Sequence, residues 1–170
     1  MSQIETVYQR MVEYYKNDPR RIQHFVKVHS FARLIGLAEG LDEPQQITLE
    51  MAALMHDIGI KVGEETLGLC DGKTQERLGP PVAETMLLQL AVDPARIQRI
   101  CYLISRHHTY TNVDGIDYRI LLESDSLVNL YEDGEAPEAV RSAYDSIFCT
   151  ETGRRLCRLM FGINDAQETQ

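Results

Sequence analysis

Hydrophobic residues recur every three or four positions along most of the chain, which is the spacing that places them on one face of an α-helix. The first such segment covers residues 4–16. Asp18 then has the character of a helix N-cap and Pro19 that of a first-turn residue, so a second helix is predicted from there. A turn at residues 41–44 precedes a third helix, which is predicted to end near Asp57. No segment shows the alternation of a β-strand.

The second half of the chain continues the helical pattern with one interruption. Residues 73–90 have helical spacing, but Gly79-Pro80-Pro81 predicts a break, with a new helix starting at one of the prolines. A second Asp-Pro pair, at positions 93 and 94, predicts a helix that runs to about residue 108. Three further helices are predicted over residues 118–131, 137–148 and 150–161, the last with Thr150 as its N-cap.

Two segments lack this pattern. Residues 58–73 contain four glycines and are predicted to form a long loop, of the kind that is usually functional or mobile in a compact helical domain. Residues 109–117 are polar and are predicted to form a second loop, and residues 164–170 are expected to fray. Together these elements predict an all-α protein, a single-domain bundle of about seven helices over residues 1–170.

Composition narrows the possible partners. A chain of 170 residues, 44% of them hydrophobic, is large enough to bury a core. The formal net charge of -9 argues against an extended nucleic-acid partner, because binding to phosphate backbones needs clustered positive charge. Without a long apolar run or a signal-peptide pattern, we expect a cytoplasmic protein with no membrane partner. The four cysteines form no Cys-x-x-Cys pair and are expected to be free thiols.

A polar pair at the end of an apolar run is the first candidate for chemistry. In the segment from Leu54 to Gly59, His56 directly precedes Asp57. Burying both side chains is costly unless the polar atoms are compensated, and a divalent metal does this by binding an imidazole nitrogen and a carboxylate oxygen together. The alternatives for such a pair are a surface position or a hydrogen bond at a helix end.

Three further features have the same character. His24 lies beside the apolar stripe of the second helix, whereas His29 lies on a different face. The doublet His107-His108 ends a later apolar run, and Asp125 has apolar neighbours on both sides. A carboxylate in such surroundings needs a partner, which a metal can supply. The alternatives are a hydrogen-bonded core histidine at position 24 and a salt bridge from the aspartate to an arginine, Arg106 or Arg119.

The order of these residues is more specific than any one of them. It runs through His24, His56-Asp57, His107-His108 and Asp125. In this order and context the chain resembles the HD-domain superfamily of metal-dependent phosphohydrolases over residues 20–129, and is closest to its small single-domain members. The resemblance implies an HD-type helical bundle, with the metal site in a core at about residues 20–130 and C-terminal packing helices at about 137–161.

Two imidazoles and two carboxylates form the predicted metal-binding set, which consists of His24, His56, Asp57 and Asp125. Such a set leaves coordination positions for water and substrate, and it suits Mn²⁺, Fe²⁺, Co²⁺, Ni²⁺, Zn²⁺ or Mg²⁺. An ion bound there would lower the pKa of a water molecule and stabilise charge on a phosphoryl oxygen. We therefore expect hydrolysis of a phosphate ester or anhydride of a small molecule such as a nucleotide.

The resemblance also raises the question of a second metal ion. Many superfamily members carry a further histidine in the helix before the position of Gly79, and this histidine binds a second ion together with a pair such as His107-His108. Here that helix contains no histidine, and Glu76 is the residue that could replace it. Without a second ion, the two histidines would contact the substrate phosphate or support the ligands of the first.

Roles in proton transfer and phosphate binding are assigned from residue type and proximity in sequence. Asp57 can orient the attacking water, while Glu64, Glu65 or His107 can protonate the leaving oxygen. The groups expected to hold a substrate phosphate are Lys61, Lys73, Arg106 and His108.

Two other functions remain open at this point. The chain could be a non-catalytic module that binds a metal and a nucleotide, because the glycine-rich segment after the His-Asp pair suits ligand-dependent ordering as well as catalysis. It could also be a di-iron oxygenase of the same fold, although the missing histidine near Glu76 argues against this. The sequence contains no glycine-lysine phosphate loop that would name a substrate, and it leaves the oligomeric state open.

Overall fold

The structure, a computed structural model, describes residues 2–164. Over this range the chain forms nine α-helices and no β-strand, so the predicted all-α class is confirmed and the predicted number of about seven helices is wrong. The helices are α1 (Gln3–Tyr14), α2 (Pro19–Ala38), α3 (Glu43–Ala53), α4 (Ile60–Leu67), α5 (Gly72–Gln89), α6 (Pro94–Ile104), α7 (Ile116–Glu132), α8 (Pro137–Ser146) and α9 (Glu151–Phe161).

The helix starts follow the predicted caps. The carboxylates of Asp18 and Asp93 accept hydrogen bonds from main-chain N–H groups in the first turns of α2 and α6, and the Thr150 hydroxyl does the same for α9. At α1, Ser2 and Glu5 form a reciprocal capping box. These side chains satisfy N–H groups that have no partner within the helix, which is why the same residue types mark helix starts in the sequence.

The predicted loop over residues 58–73 is wrong, because α4 lies within it. This helix ends at Gly68, whose φ of 74° is left-handed. Gly63 serves close packing instead, since a Cβ there would lie 2.5 Å from the sulfur of Cys70. A glycine that admits a close contact looks the same in sequence as a glycine in a loop, and this is the physical reason for the error.

The predicted break at Gly79-Pro80-Pro81 is also wrong, because α5 continues through both prolines. Each proline removes one helical hydrogen-bond donor, but its fixed φ is compatible with the helix. Gly79 lets α5 approach its neighbours closely, since a Cβ there would lie 2.6 Å from Cγ2 of Ile104 in α6. Tertiary packing of α5 along α6 and α4 thus outweighs the local cost of the prolines.

The centre of the protein is the packing of α2 against α3 and α7. Phe25 and Ile35 of α2 and Leu121 of α7 have no exposed surface, and burial of such side chains supplies most of the stability of a helical core. His24 and Asp125 lie on these same central helices and are buried as well. The fold therefore brings polar candidates from α2 and α7 into the core.

The C-terminal helices lie at the periphery, where α8 packs on α9 and α9 packs on α7 and α2. The predicted second loop is present as a non-helical segment before α7. Of the tail that was expected to fray, residues 165–170 lie outside the described residues. Within residues 2–164, no helix combines the length and the apolar character needed to cross a membrane.

Candidate metal centre

His56 and His107 occupy equivalent positions in the tight turns that follow α3 and α6. Nδ1 of His56 lies 2.9 Å from the carbonyl oxygen of Ala53, and Nδ1 of His107 lies 2.7 Å from that of Ile104. A carbonyl oxygen can only accept a hydrogen bond, so Nδ1 carries a proton in both rings. A metal ion would therefore be bound through the Nε2 atom of each ring.

The His24 ring is held in the same tautomer by a different partner. Its Nδ1 lies 2.9 Å from Oε2 of Glu132, which accepts the hydrogen bond. The Nε2 atom of His24 then points towards the turn after α3 and lies 3.1 Å from Nε2 of His56. The Nε2 atoms of the two imidazoles thus face each other across a short gap.

Two carboxylates complete this group. Oδ1 of Asp125 lies 3.3 Å from Nε2 of His24 and 3.5 Å from Nε2 of His56. Oδ2 of Asp57 lies 3.6 Å and 3.5 Å from the same two nitrogens. Carboxylates from α7 and from the turn between α3 and α4 therefore both lie next to the two Nε2 atoms.

The four residues fit a divalent metal ion. Because the Nδ1 atoms of His24 and His56 donate to other partners, the atoms left to face one another are two Nε2 atoms and the oxygens of Asp57 and Asp125. These atoms are electron-rich and repel one another unless a proton or a metal ion lies between them. Oδ1 of Asp125 is buried and accepts no hydrogen bond from the described residues. Ligand atoms that share a first-row divalent ion lie about 2.0–2.3 Å from it and so about 3–4 Å from one another, which agrees with the distances that join the two histidine nitrogens to each other and to the carboxylates.

Electrostatics lead to the same conclusion. Burial alone would lower the pKa of His24, but the neighbouring carboxylates of Asp125, Asp57 and Glu132 outweigh burial and raise the pKa to about 9. Burial alone would raise the pKa of Asp57, but the neighbouring His56 and His107 lower it to about 2. The cluster thus favours ionised carboxylates together with a cation, which can be a proton or a metal.

Asp57 also faces a second group of donor atoms. Its Oδ1 lies 3.0 Å from Nε2 of His107, and one donor atom each of Asp57, His107 and His108 lie within 4.8 Å of one another. His56 and His24 contact the other oxygen of the same carboxylate. The geometry therefore places Asp57 between two potential ion sites.

Glu76 is not part of this second group. Its Oε1 accepts hydrogen bonds from the main-chain N–H of His108, at 3.1 Å, and from the Thr109 hydroxyl, at 2.7 Å, while its Oε2 pairs with Lys73 at 2.9 Å. The side chain that contacts the His108 ring is Gln75, whose Oε1 faces Nε2. In this arrangement Glu76 positions the turn that carries the two histidines.

The predicted proton donors on α4 lie away from the cluster. Both oxygens of Glu64 pair with the guanidinium of Arg21, at 2.9 and 3.1 Å. Glu65 is exposed, and its charge adds to burial in raising the pKa of Tyr14 at the end of α1. Of the three groups proposed from sequence for protonating the leaving oxygen, the structure brings only His107 to Asp57.

The three cationic side chains predicted to bind phosphate lie in different surroundings. Lys61 donates to the carbonyl oxygen of Tyr14 at 3.1 Å, and Arg106 stacks over the Tyr102 ring at 5.6 Å, so neither contacts the histidine cluster. Lys73 remains at its edge, where its side chain is 79% exposed.

Four residues around the cluster were not predicted from the sequence. Glu132 and Gln75 contact the rings of ligand candidates, Lys27 pairs with Glu132 at 2.8 Å, and the Tyr15 hydroxyl donates to the carbonyl oxygens at 57 and 58. Only Glu132 carried a usable signal, because it follows Asp125 by seven residues and so lies on the same face of α7.

Comparison with known proteins identifies the fold and the family of the chain. A search of curated proteins gives no match. Among solved structures, the chain is similar to a predicted HD superfamily hydrolase from an uncultured Thermotogales bacterium, with 24% sequence identity, a TM-score of 0.66 and coverage of 93% of this chain and 84% of that one. This similarity shows the fold.

The family assignment rests on the sequence model for the HD domain, which matches residues 21–141, well over half of the chain. The matched segment includes both groups of donor atoms and the helices α2, α3 and α7 that position them. The chain therefore belongs to the HD-domain family.

Proposed function

We propose that the chain is a metal-dependent phosphohydrolase that cleaves a phosphate ester or anhydride of a small molecule such as a nucleotide. HD-domain proteins are in general metal-dependent hydrolases, and the proposal narrows this to phosphate substrates. The observation that carries it is the cluster of two imidazole nitrogens and two carboxylate oxygens. The two nitrogens lie 3.1 Å apart, and each lies within 3.6 Å of both carboxylates.

The residues that would hold the ion are His24, His56, Asp57 and Asp125. A divalent ion of the series Mn²⁺, Fe²⁺, Co²⁺, Ni²⁺, Zn²⁺ and Mg²⁺ supplies Lewis acidity and a water molecule of lowered pKa. Because Asp57 has one oxygen in this group and the other against His107, it is placed to orient the attacking water. With a proton on its Nε2 atom, His107 can transfer that proton to the leaving oxygen, whereas Glu64 is paired with Arg21.

A substrate phosphate would approach from the side of His108. The Lys73 side chain lies there, largely exposed, with its ammonium group 3.4 Å from the Thr109 hydroxyl. It can therefore contact a phosphate group from its present position. The Lys61 ammonium group instead donates to the Tyr14 carbonyl oxygen, and the Arg106 guanidinium lies over the Tyr102 ring.

A second ion is supported by one observation, the group formed by Asp57, His107 and His108. In that form His107 would be a ligand, and Asp57 would bridge the two sites. Two irons per chain together with oxygen consumption would favour a di-iron oxygenase, whereas tight nucleotide binding without turnover would favour a non-catalytic module. Glu76 is not assigned to the second ion, because its oxygens already accept from three donors.

The test compares the wild-type protein with Asp57→Ala. We expect about one or two equivalents of a transition metal in the wild type and a loss of metal in the variant, measured by elemental analysis. Release of inorganic phosphate from a panel of nucleotides and phosphate esters should fall by about 1000-fold or more, because stabilisation by a metal ion is worth several kcal/mol and each 1.4 kcal/mol is about tenfold in rate.

The matched control is Asp145→Ala, which removes an exposed carboxylate on α8, 56% exposed, and should change neither metal content nor activity. A wild-type protein that takes up no divalent metal after reconstitution would refute the metal centre. A metal-loaded protein that releases no phosphate from any substrate of the panel would refute the hydrolase.

A further inference from the structure

Glu132 is a charged group that contacts His24, a predicted metal ligand, at the ring nitrogen facing away from the cluster. Its Oε2 accepts the hydrogen bond from Nδ1 of His24 at 2.9 Å, and its Oε1 pairs with Nζ of Lys27 at 2.8 Å. The Glu132 side chain is 17% exposed, so this carboxylate is largely removed from water. With both oxygens engaged, it is held in a defined orientation at the last turn of α7.

The three histidines of the cluster differ in this respect. The Nδ1 atoms of His56 and His107 donate to main-chain carbonyl oxygens, which are neutral acceptors. Only the Nδ1 atom of His24, among these three rings, donates to an anion. A carboxylate attracts the Nδ1 proton more strongly than a carbonyl does, and this leaves more electron density at Nε2, the atom that faces the cluster.

The two carboxylates of α7 act on opposite edges of one ring. Asp125 lies 3.3 Å from Nε2 of His24, and Glu132 lies 2.9 Å from its Nδ1. Seven residues separate them, which is two helical turns, so both side chains project from the same face of α7. Without Glu132, the His24 ring would keep its place on α2 but lose the partner that selects its tautomer.

We propose that Glu132, anchored by Lys27, is a positioning residue that sets the tautomer and donor strength of His24 for a divalent metal. This inference rests on the metal centre of the proposed function, but it concerns affinity for the ion and not the reaction. Hydrogen-bond partners of this kind contribute about 10- to 100-fold to metal affinity in other proteins.

The experiment is a Co²⁺ titration of the metal-free protein, followed by calorimetry and by the visible absorption of the bound ion. Glu132→Gln keeps an oxygen that can accept from Nδ1 but removes the charge, and we expect its Kd for Co²⁺ to rise about tenfold or more with an altered spectrum. The matched control is Asp133→Asn, which neutralises an exposed carboxylate one residue further along and should retain the wild-type Kd and spectrum.

Thermal unfolding of each metal-free protein shows whether the variant is folded. Should Glu132→Gln fail to fold, Glu132→Asp takes its place, because it keeps the charge but withdraws it from Nδ1 by one methylene, and the same weakening is expected. Wild-type affinity and spectrum in a folded Glu132 variant would overturn the proposal, as would a wild-type protein that binds no Co²⁺. If the affinities change as expected but no phosphate compound is hydrolysed, the hydrolase proposal fails and the role of Glu132 stands.

Discussion

At the residue scale, the site depends on where three imidazole protons lie. Main-chain carbonyl oxygens bind the Nδ1 protons of His56 and His107, and a carboxylate binds that of His24. All three Nε2 atoms are thereby turned towards Asp57 or Asp125. This arrangement also requires a fixed conformation of the turn that carries His56 and Asp57, and hydrogen bonds from Tyr15 stabilise that turn.

The contribution of Tyr15 can be measured directly. Its buried hydroxyl lies 3.0 Å from the carbonyl oxygen of Asp57 and 3.2 Å from that of Ile58. Tyr15→Phe should lower the free energy of unfolding in urea by about 1 kcal/mol, since a net hydrogen bond of this type is worth about that much. Tyr131→Phe, at a ring that is 68% exposed, is the control and should leave stability unchanged. Equal stability of both variants would show that Tyr15 does not support the turn.

At the element scale, close contact between α4 and α5 places the His-Asp turn. A Cβ at Gly59 would lie 2.6 Å from the main-chain nitrogen of Gly79 and 2.9 Å from its Cα. Gly59 has a φ of -75°, which any residue adopts, so its lack of a side chain serves contact alone. Two helices meet here backbone to backbone, directly after the predicted metal ligands.

Gly59→Ala should therefore be costly. A methyl group forced between two main chains should lower the free energy of unfolding by about 1–3 kcal/mol, the range for overpacked cores. The variant should also bind divalent metal more weakly, because the turn that carries His56 must move. Gly134→Ala, where a Cβ has open space but φ is 64°, measures backbone strain without a clash. The interpretation fails if Gly59→Ala is as stable as the wild type.

At the scale of the whole molecule, a second buried network of polar side chains joins α2 to α3. Glu50 is 4% exposed and accepts hydrogen bonds from His29 at 2.9 Å and from Gln46 at 2.8 Å. Burial alone would raise its pKa, but these hydrogen bonds outweigh burial and hold the pKa below its usual value of 4.5.

This network should influence stability in acid. A carboxylate whose pKa is lower in the folded than in the unfolded state stabilises the protein fully above the unfolded value, and this stabilisation is lost as pH falls through the folded value. The unfolding free energies of the wild type and Glu50→Gln should therefore differ most near neutral pH and converge below pH 4.5. Glu43→Gln, at an exposed position on the same helix, should run parallel to the wild type. A constant gap between wild type and Glu50→Gln down to pH 3 would contradict the assignment.

Much of the architecture was predictable because its causes are local. Helix periodicity and the caps at Asp18, Asp93 and Thr150 depend on residues within one or two turns, and the structure confirms them. The exceptions are α4 and the continuous α5, where packing against other helices overrides what glycines and prolines indicate locally. The predicted domain limits, with a metal-site core at about residues 20–130, remain a prediction.

What the sequence determined by itself was the all-α class, the family resemblance and the set of buried polar residues, since each follows from residue type and short-range spacing. Only the tertiary structure decided that Nε2 atoms and carboxylates converge, that Gln75 and not Glu76 contacts His108, and that Glu64 pairs with Arg21. His24 and Glu132 are 108 positions apart in the chain, and no local pattern encodes the 2.9 Å between them. Such contacts arise when helices pack to bury their apolar faces, and the distances between polar atoms follow from that packing.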